Sequence, residues 1–160
     1  MKNRLYSVHK RAKKEVFLSS YDAVVIGAGA SGMVAAIRLA QSGKKVAIIE
    51  RQNRGGKKIL ASGNGRCNIA NSSIKQKNFY IRNRKLLNEL LQHYTLADVE
   101  EFFKSLGLAF SKVADGRIFP QSMSALSVLE LLEAALKQYK ISLFYGVESF
   151  TITGHFTLRF

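Results

Sequence analysis

The stretch YDAVVIGAGASGMVAAIRLAQSGKKVAIIER, Tyr21 to Arg51, decides how this chain folds. Ala23, Val24, Val25 and Ile26 form a short β-prone run that stops at Gly27, the pattern of a strand buried on both faces. Met33, Ala36, Ile37 and Ala40 then recur at three- and four-residue steps, the spacing of a helix, and Gly43 marks its C-terminal end. Val46 to Ile49 makes a second buried strand. Strand, helix and strand in so short a stretch imply a right-handed βαβ unit with parallel strands.

The turn from the first strand into the helix carries Gly27, Gly29 and Gly32, so the G-x-G-x-x-G spacing has the context it needs. Gly27 permits a tight turn, Gly29 has no Cβ to hold a diphosphate away, and Gly32 lets helix and strand approach closely. Amides at a helix start favour an anion by roughly 0.3–1 kcal/mol, rising to ~2 where the site is shielded. Much of a ligand's affinity must therefore come from elsewhere. Glu50 ends the second strand, where a carboxylate can accept the hydroxyls of an adenosine ribose. The plainer alternative is a glycine turn beside a solvated Glu50. Arg51 would suit a 2′-phosphate, and hence NADP, but Glu50 would repel that phosphate and favours an unphosphorylated ribose.

Composition sets the limits. The 160 residues suit one domain with a packed core, and no apolar run approaches the ~20 residues that cross a bilayer. One cysteine, Cys67, has no partner for an intrachain disulfide, and no Cys/His cluster has metal-ligand spacing, so no metal is expected and a cytoplasmic setting fits. Residues 1–20 read as a basic, loosely ordered arm without the apolar core of a secretory signal. Net charge is +14, and neither Asp nor Glu occurs between Arg51 and Lys85. Such a field is either a solvated surface or an attractor of phosphorylated and acidic ligands. The lack of zinc-finger spacing and of an RNP-like aromatic motif argues against nucleic acid as the partner.

The glycines alone do not separate FAD from NAD. The next string, GGKKILASGNGRCNIAN from Gly55 to Asn71, resembles the signature of a bacterial family of FAD-binding oxidoreductases of the aminoacetone oxidase or bile-acid-dehydroxylation flavoprotein type. DGRIFPQSMSALSVLELL, Asp115 to Leu132, is similar to that family's second signature. The resemblance covers nearly all of residues 21–160. It implies an α/β fold, the N-terminal portion of a Rossmann-like FAD domain of the two-dinucleotide-binding-domain type, with a helical insert and a β-meander.

By the same resemblance FAD is the cofactor. The corner of Gly27, Ala28, Gly29, Ala30, Ser31 and Gly32 would hold the diphosphate, with Glu50 and Arg51 at the adenosine ribose. A loop of Ser62, Gly63, Asn64, Gly65, Arg66, Cys67 and Asn68 would run toward the flavin, and Lys58 is a further cofactor-binding candidate. A backbone group of Val147 would meet the adenine. The residue types agree: Gly63 and Gly65 admit backbone to a ligand, Arg66 offers a fork of donors, and Asn68 offers donor and acceptor. Plainer readings stand beside these. Arg66 could pair with a nearby carboxylate, and Cys67 reads as a buried small side chain. Ala70 departs from the threonine of the family pattern CNITN and is not carried over.

Farther on, Leu86 to Tyr94 and Leu96 to Leu106 have helical spacing, with Thr95 as a cap before Asp98. His93 reads as a surface histidine. FSKVADGRIF reads as a hairpin turning at Asp115-Gly116, with Phe119-Pro120 ending the strand ahead of a helix from Ser124 to Tyr139 whose leucines are core. In the family this block packs beside the FAD domain, where Arg117 would line the approach to the ligand. The last twenty residues alternate as strands, with a turn at Gly154-His155 to which no role is assigned.

Family members are much longer, with a substrate-side domain and a C-terminal return to the flavin that this sequence lacks. The resemblance therefore implies hydride transfer between a small organic substrate and FAD, with oxygen, NAD(P)H or another group as electron partner, in which this chain alone binds FAD weakly or not at all and the missing half is a partner. No catalytic residue is identified. Two other classes stay open: a non-catalytic remnant that kept the fold, and a basic NAD(P)-, nucleotide- or RNA-binding module.

Overall fold

A computed structural model describes residues 6–12, 15–153 and 157–159. The chain divides into two compact units, one built from residues up to Lys58 and from Leu132 onward, the other from Ile59 to Leu131. The boundaries fall inside helices α2 (Lys57–Ala61) and α5 (Ala125–Gln138).

In the first unit, β3 (Ala23–Ile26), β4 (Val46–Ile49) and β8 (Ser142–Phe144) form a parallel sheet in the order β3-β4-β8. The register places Ala23 opposite Val46 and Ile26 opposite Ile49, and Ile49 in turn opposite Phe144. All four residues of β4 are buried, as a central β-branched strand requires. Burial of each such Val or Ile side chain is worth about 1.5–3 kcal/mol. The expectation that Ala23 to Ile26 is buried on both faces is corrected: β3 pairs with β4 alone among the described residues, its residues are only partly covered, and Ile26 is 58% exposed. Helix α1 (Ala30–Gln41) joins β3 to β4 and buries Met33, Ala36 and Ile37, the predicted apolar stripe. Gly43, at φ +80°, ends it by donating to the Ala40 carbonyl.

The segment read as a basic arm contributes two strands, β1 (Tyr6–Ala12) and β2 (Glu15–Tyr21), paired antiparallel from Tyr6 opposite Tyr21 to Ala12 opposite Glu15. Val16, Phe17 and Tyr21 are β-favouring residue types. β1 also pairs in parallel with β10 (Thr157–Arg159), which pairs with β9 (Thr151–Thr153). Gly154 and His155 lie outside the described residues. Tyr21, Ala47, Ile49 and Val147 form a buried cluster, with Val24, Phe144 and Phe150 packed on it.

The second unit holds an antiparallel sheet of β5 (Ala70–Asn71), β7 (Arg117–Pro120) and β6 (Phe110–Lys112), with β7 central. The β6-β7 hairpin turns at Gly116, φ +85°, as its sequence implied. Helix α3 (Arg84–His93) starts on Asn83, whose side chain accepts from the Leu86 N–H, and α4 (Leu96–Ser105) starts on Thr95 in a capping box with Asp98. In α5, Val128, Leu129, Leu132, Ala135 and Leu136 are buried, so its leucines belong to the core.

Candidate functional site

The glycine corner is held at three points. The Gly27 N–H donates to the Ile49 carbonyl at 2.7 Å, the Ala28 N–H donates to Glu50 Oε2 at 2.7 Å, and the Ala28 carbonyl accepts from the Gly56 N–H at 2.8 Å. Gly27 has φ +100°, a region closed to most side chains. A Cβ on Gly32 would run into the Gly27 carbonyl, so this glycine serves helix-to-strand contact as its spacing implied. Gly29 differs: it is extended at φ −83°, and a Cβ there would meet nothing within 4 Å. Among the described residues its lack of a side chain answers to no neighbour.

Helix α1 opens on Gly29 with no side-chain cap and no acid in its first turn. The first backbone bond runs from the Met33 N–H to the Gly29 carbonyl at 2.9 Å. Among the described residues, the N–H groups of Gly29, Ala30, Ser31 and Gly32 reach no acceptor, and Gly29, Ala30 and Ser31 are exposed. That is a donor set for an anion.

Glu50 follows β4 directly. Its Oε2 accepts from the Ala28 N–H and its Oε1 from the Gln52 N–H at 2.8 Å. Those two donors, Gln52 first and Ala28 second, hold its carboxyl below the usual carboxylate range despite partial burial. Two backbone bonds use about half of the ~4 acceptor positions of a carboxylate, which leaves the rest for hydroxyl donors. Beside it a cleft of about 590 Å³ is lined by Arg51, Gln52, Asn53, Gly146 and Glu148. Val147 is buried at 9% exposure and its N–H donates to the Glu50 carbonyl at 3.0 Å, so any ligand contact of its backbone falls to the carbonyl.

Sequence reasoning passed over Gly55 and Gly56 as part of a signature without a role. Gly55 packs so closely that a Cβ would stand 2.9 Å from the Ala28 carbonyl oxygen and 2.6 Å from Met33 Cε. The signal available was a glycine pair a few residues beyond the acid at a strand tip.

In the second unit the loop Ser62 to Asn68 is tightly wound. Gly63, Asn64, Gly65 and Cys67 all have positive φ, and the Ser62 carbonyl accepts from both Gly65 and Cys67 N–H groups. A Cβ on Gly63 would meet the Asn68 nitrogen at 2.5 Å. Among the described residues Arg66 pairs with no carboxylate: its guanidinium lies over the Phe119 ring at 4.8 Å and its Nε donates to the Gly63 carbonyl at 3.3 Å. Arg117, expected toward a ligand, is paired with Asp115 at 2.7 Å and lies 5.6 Å from the same ring. Cys67 is buried, and burial pushes its thiol up. Asn68 and Lys58 are exposed, and His93 lies on the surface at the end of α3. Among the described residues no group of acids, cysteines and histidines is placed to hold a metal, and no helix is long and apolar enough to cross a membrane.

Unpartnered helix amides, a Cβ-free approach at Gly29 and a half-satisfied acid at the adjacent strand tip fit a diphosphate joined to a ribose. They define a dinucleotide-binding α/β domain of the Rossmann type. The chain belongs to the HI0933-like protein Rossmann domain family, whose model matches residues 21–156. It is an FAD-binding domain of the kind found in flavin-dependent oxidoreductases.

The chain is 43% identical over 125 residues to the 3-dehydro-bile acid delta(4,6)-reductase of Clostridium scindens, covering 77% of this chain and 30% of that protein. It is 30% identical over 115 residues to the ribosomal RNA dihydrouridine synthase of Escherichia coli, covering 72% and 28% respectively. The chain thus spans under a third of the length of these relatives. Among solved structures it superposes on a flavocytochrome c3 fumarate reductase with a TM-score of 0.55 at 18% identity, covering 77% of this chain and 26% of that one. A 3-ketosteroid-delta4-(5alpha)-dehydrogenase from Rhodococcus jostii gives 0.54 at 14% identity, covering 79% and 38%.

Proposed function

We propose that this chain holds the adenosine diphosphate end of FAD in a flavin-dependent reductase. The observation that carries it is the joining of Glu50 to the glycine corner through the Ala28 N–H, which sets a ribose acceptor and a diphosphate donor set side by side. In this reading the N–H groups of Gly29, Ala30 and Ser31 bind the diphosphate, and the free acceptor positions of Glu50 bind the ribose hydroxyls. The cleft lined by Arg51 and Asn53 takes the adenine side, with Val147 contributing backbone. Arg51 and Lys58 add positive potential.

The bound flavin supplies hydride transfer to an organic acceptor. The two relatives lend support to the reductive direction: one is named as a reductase of a 3-dehydro-bile acid and the other for making dihydrouridine. A nicotinamide cofactor is the proposed electron source, and the cytoplasm the proposed location, in keeping with a single unpaired cysteine. The test is titration of FAD into the chain, followed by flavin fluorescence and by amide shifts. The resemblance implied weak or no FAD binding by this chain alone; saturable binding that ADP displaces, however weak, supports the proposed reading, and the absence of any ADP-sensitive FAD binding sinks it.

A further inference from the structure

The peptide that joins Ala28 to Gly29 is trans, so its C=O and N–H point in opposite directions. Whatever holds the Ala28 carbonyl therefore aims the Gly29 N–H. That holder is the Gly56 N–H, at 2.8 Å. We infer that the Gly55-Gly56 turn is a positioning element for the cofactor's diphosphate, acting by locking the Ala28-Gly29 peptide so that the Gly29 N–H faces outward to the ligand. The inference rests on reading the corner as the FAD site.

Three observations carry it. Gly56 sits at φ +70°, which a glycine adopts without strain and which a turn alone would explain. Gly55 needs another reason, because the space its Cβ would occupy is taken by the Ala28 carbonyl oxygen at 2.9 Å, Ala28 Cβ at 3.0 Å and Met33 Cε at 2.6 Å. The second glycine thus serves contact with Ala28, which is only 1% exposed. The loop behind the turn is also tied down: the Gln52 carbonyl accepts from the Gly146 N–H at 3.1 Å, and the Gln52 N–H donates to Glu50. The Ala28 N–H is held by the Glu50 carboxylate, so both peptides flanking Ala28 are fixed before any ligand arrives. Pre-set donors cost a ligand less ordering on binding.

The experiment uses ¹⁵N-labelled chain with ADP, which carries the diphosphate, and adenosine, which does not. In the wild type the Gly29 amide should shift with ADP and not with adenosine, while the Gly56 amide exchanges slowly with or without either. Gly55→Ala should weaken ADP binding by about tenfold or more, the size of one hydrogen bond to a charged group, and leave adenosine affinity unchanged. Equal weakening of both ligands, or no change in either, overturns the inference. Should Gly55→Ala fail to fold, wild-type exchange decides: fast exchange at Gly56, or a Gly29 amide indifferent to ADP, overturns it, and the reverse supports it. A wild type that binds neither ADP nor FAD removes the FAD reading itself, and this inference with it.

Discussion

Glu50 Oε2 accepts the Ala28 N–H at 2.7 Å across twenty-two residues of chain, so the acid at the tip of β4 is part of the glycine corner and not merely its neighbour. One carboxylate thereby fixes the turn and presents acceptors beside it.

Glu50→Gln should weaken FAD and ADP binding by about tenfold, because an amide has one acceptor oxygen where the carboxylate has two and must turn its NH₂ toward the Ala28 or the Gln52 N–H. Calorimetry on both chains measures it. The folded state holds the Glu50 pKa down, chiefly through the Gln52 and Ala28 N–H groups. Its contribution to stability is therefore present above the unfolded value near ~4.3 and is lost as pH falls through the lower folded value. The wild type should progressively lose its advantage over Glu50→Gln in thermal unfolding as pH falls below the unfolded carboxylate value and through the lower folded one.

Gly32→Ala and Gly29→Ala should separate stability from binding. At Gly32 the added methyl meets the Gly27 carbonyl, and the cost should be on the order of 1–3 kcal/mol. At Gly29 the methyl meets nothing within 4 Å among the described residues, so stability should change by no more than about 0.5 kcal/mol. On the proposed reading FAD affinity should nevertheless fall at Gly29, where the methyl would stand in the diphosphate's path. Paired denaturant curves and flavin titrations distinguish the two.

Cys67 should react slowly with a thiol reagent at neutral pH and fast once the chain is unfolded, since burial both covers the sulfur and raises its pKa. The neutral thiol is favoured in the folded state. Its contribution is present below the unfolded value of about 8.5 and declines as pH rises through the folded one. Cys67→Ala should accordingly flatten the alkaline limb of the stability curve.

Thr95→Ala should destabilise by about 1 kcal/mol by removing the oxygen that accepts from the Asp98 N–H, and Thr95→Ser should restore most of it. Helix content and thermal midpoint report both, with flavin affinity unchanged.

Much of this was legible in the residues because the forces involved are local. Met33, Ala36 and Ile37 announce a helix face, Gly43 its end, Thr95 and Asp98 a cap, and Asp115-Gly116 a hairpin, since each depends on neighbours within a turn of chain. The G-x-G-x-x-G spacing with Glu50 at the next strand tip was legible as well, because a βαβ unit brings those positions together by its own geometry. Tertiary structure decided the rest. That Ile26 is exposed depends on which strands flank β3, and that β1 takes β10 as a second, parallel neighbour depends on segments far apart in sequence. Arg66 stacking on Phe119 instead of pairing with an acid joins residues far apart in sequence. The role of Gly55-Gly56 is of the same kind: periodicity cannot reveal which distant carbonyl a backbone N–H will meet, and only the folded chain sets Gly56 against Ala28.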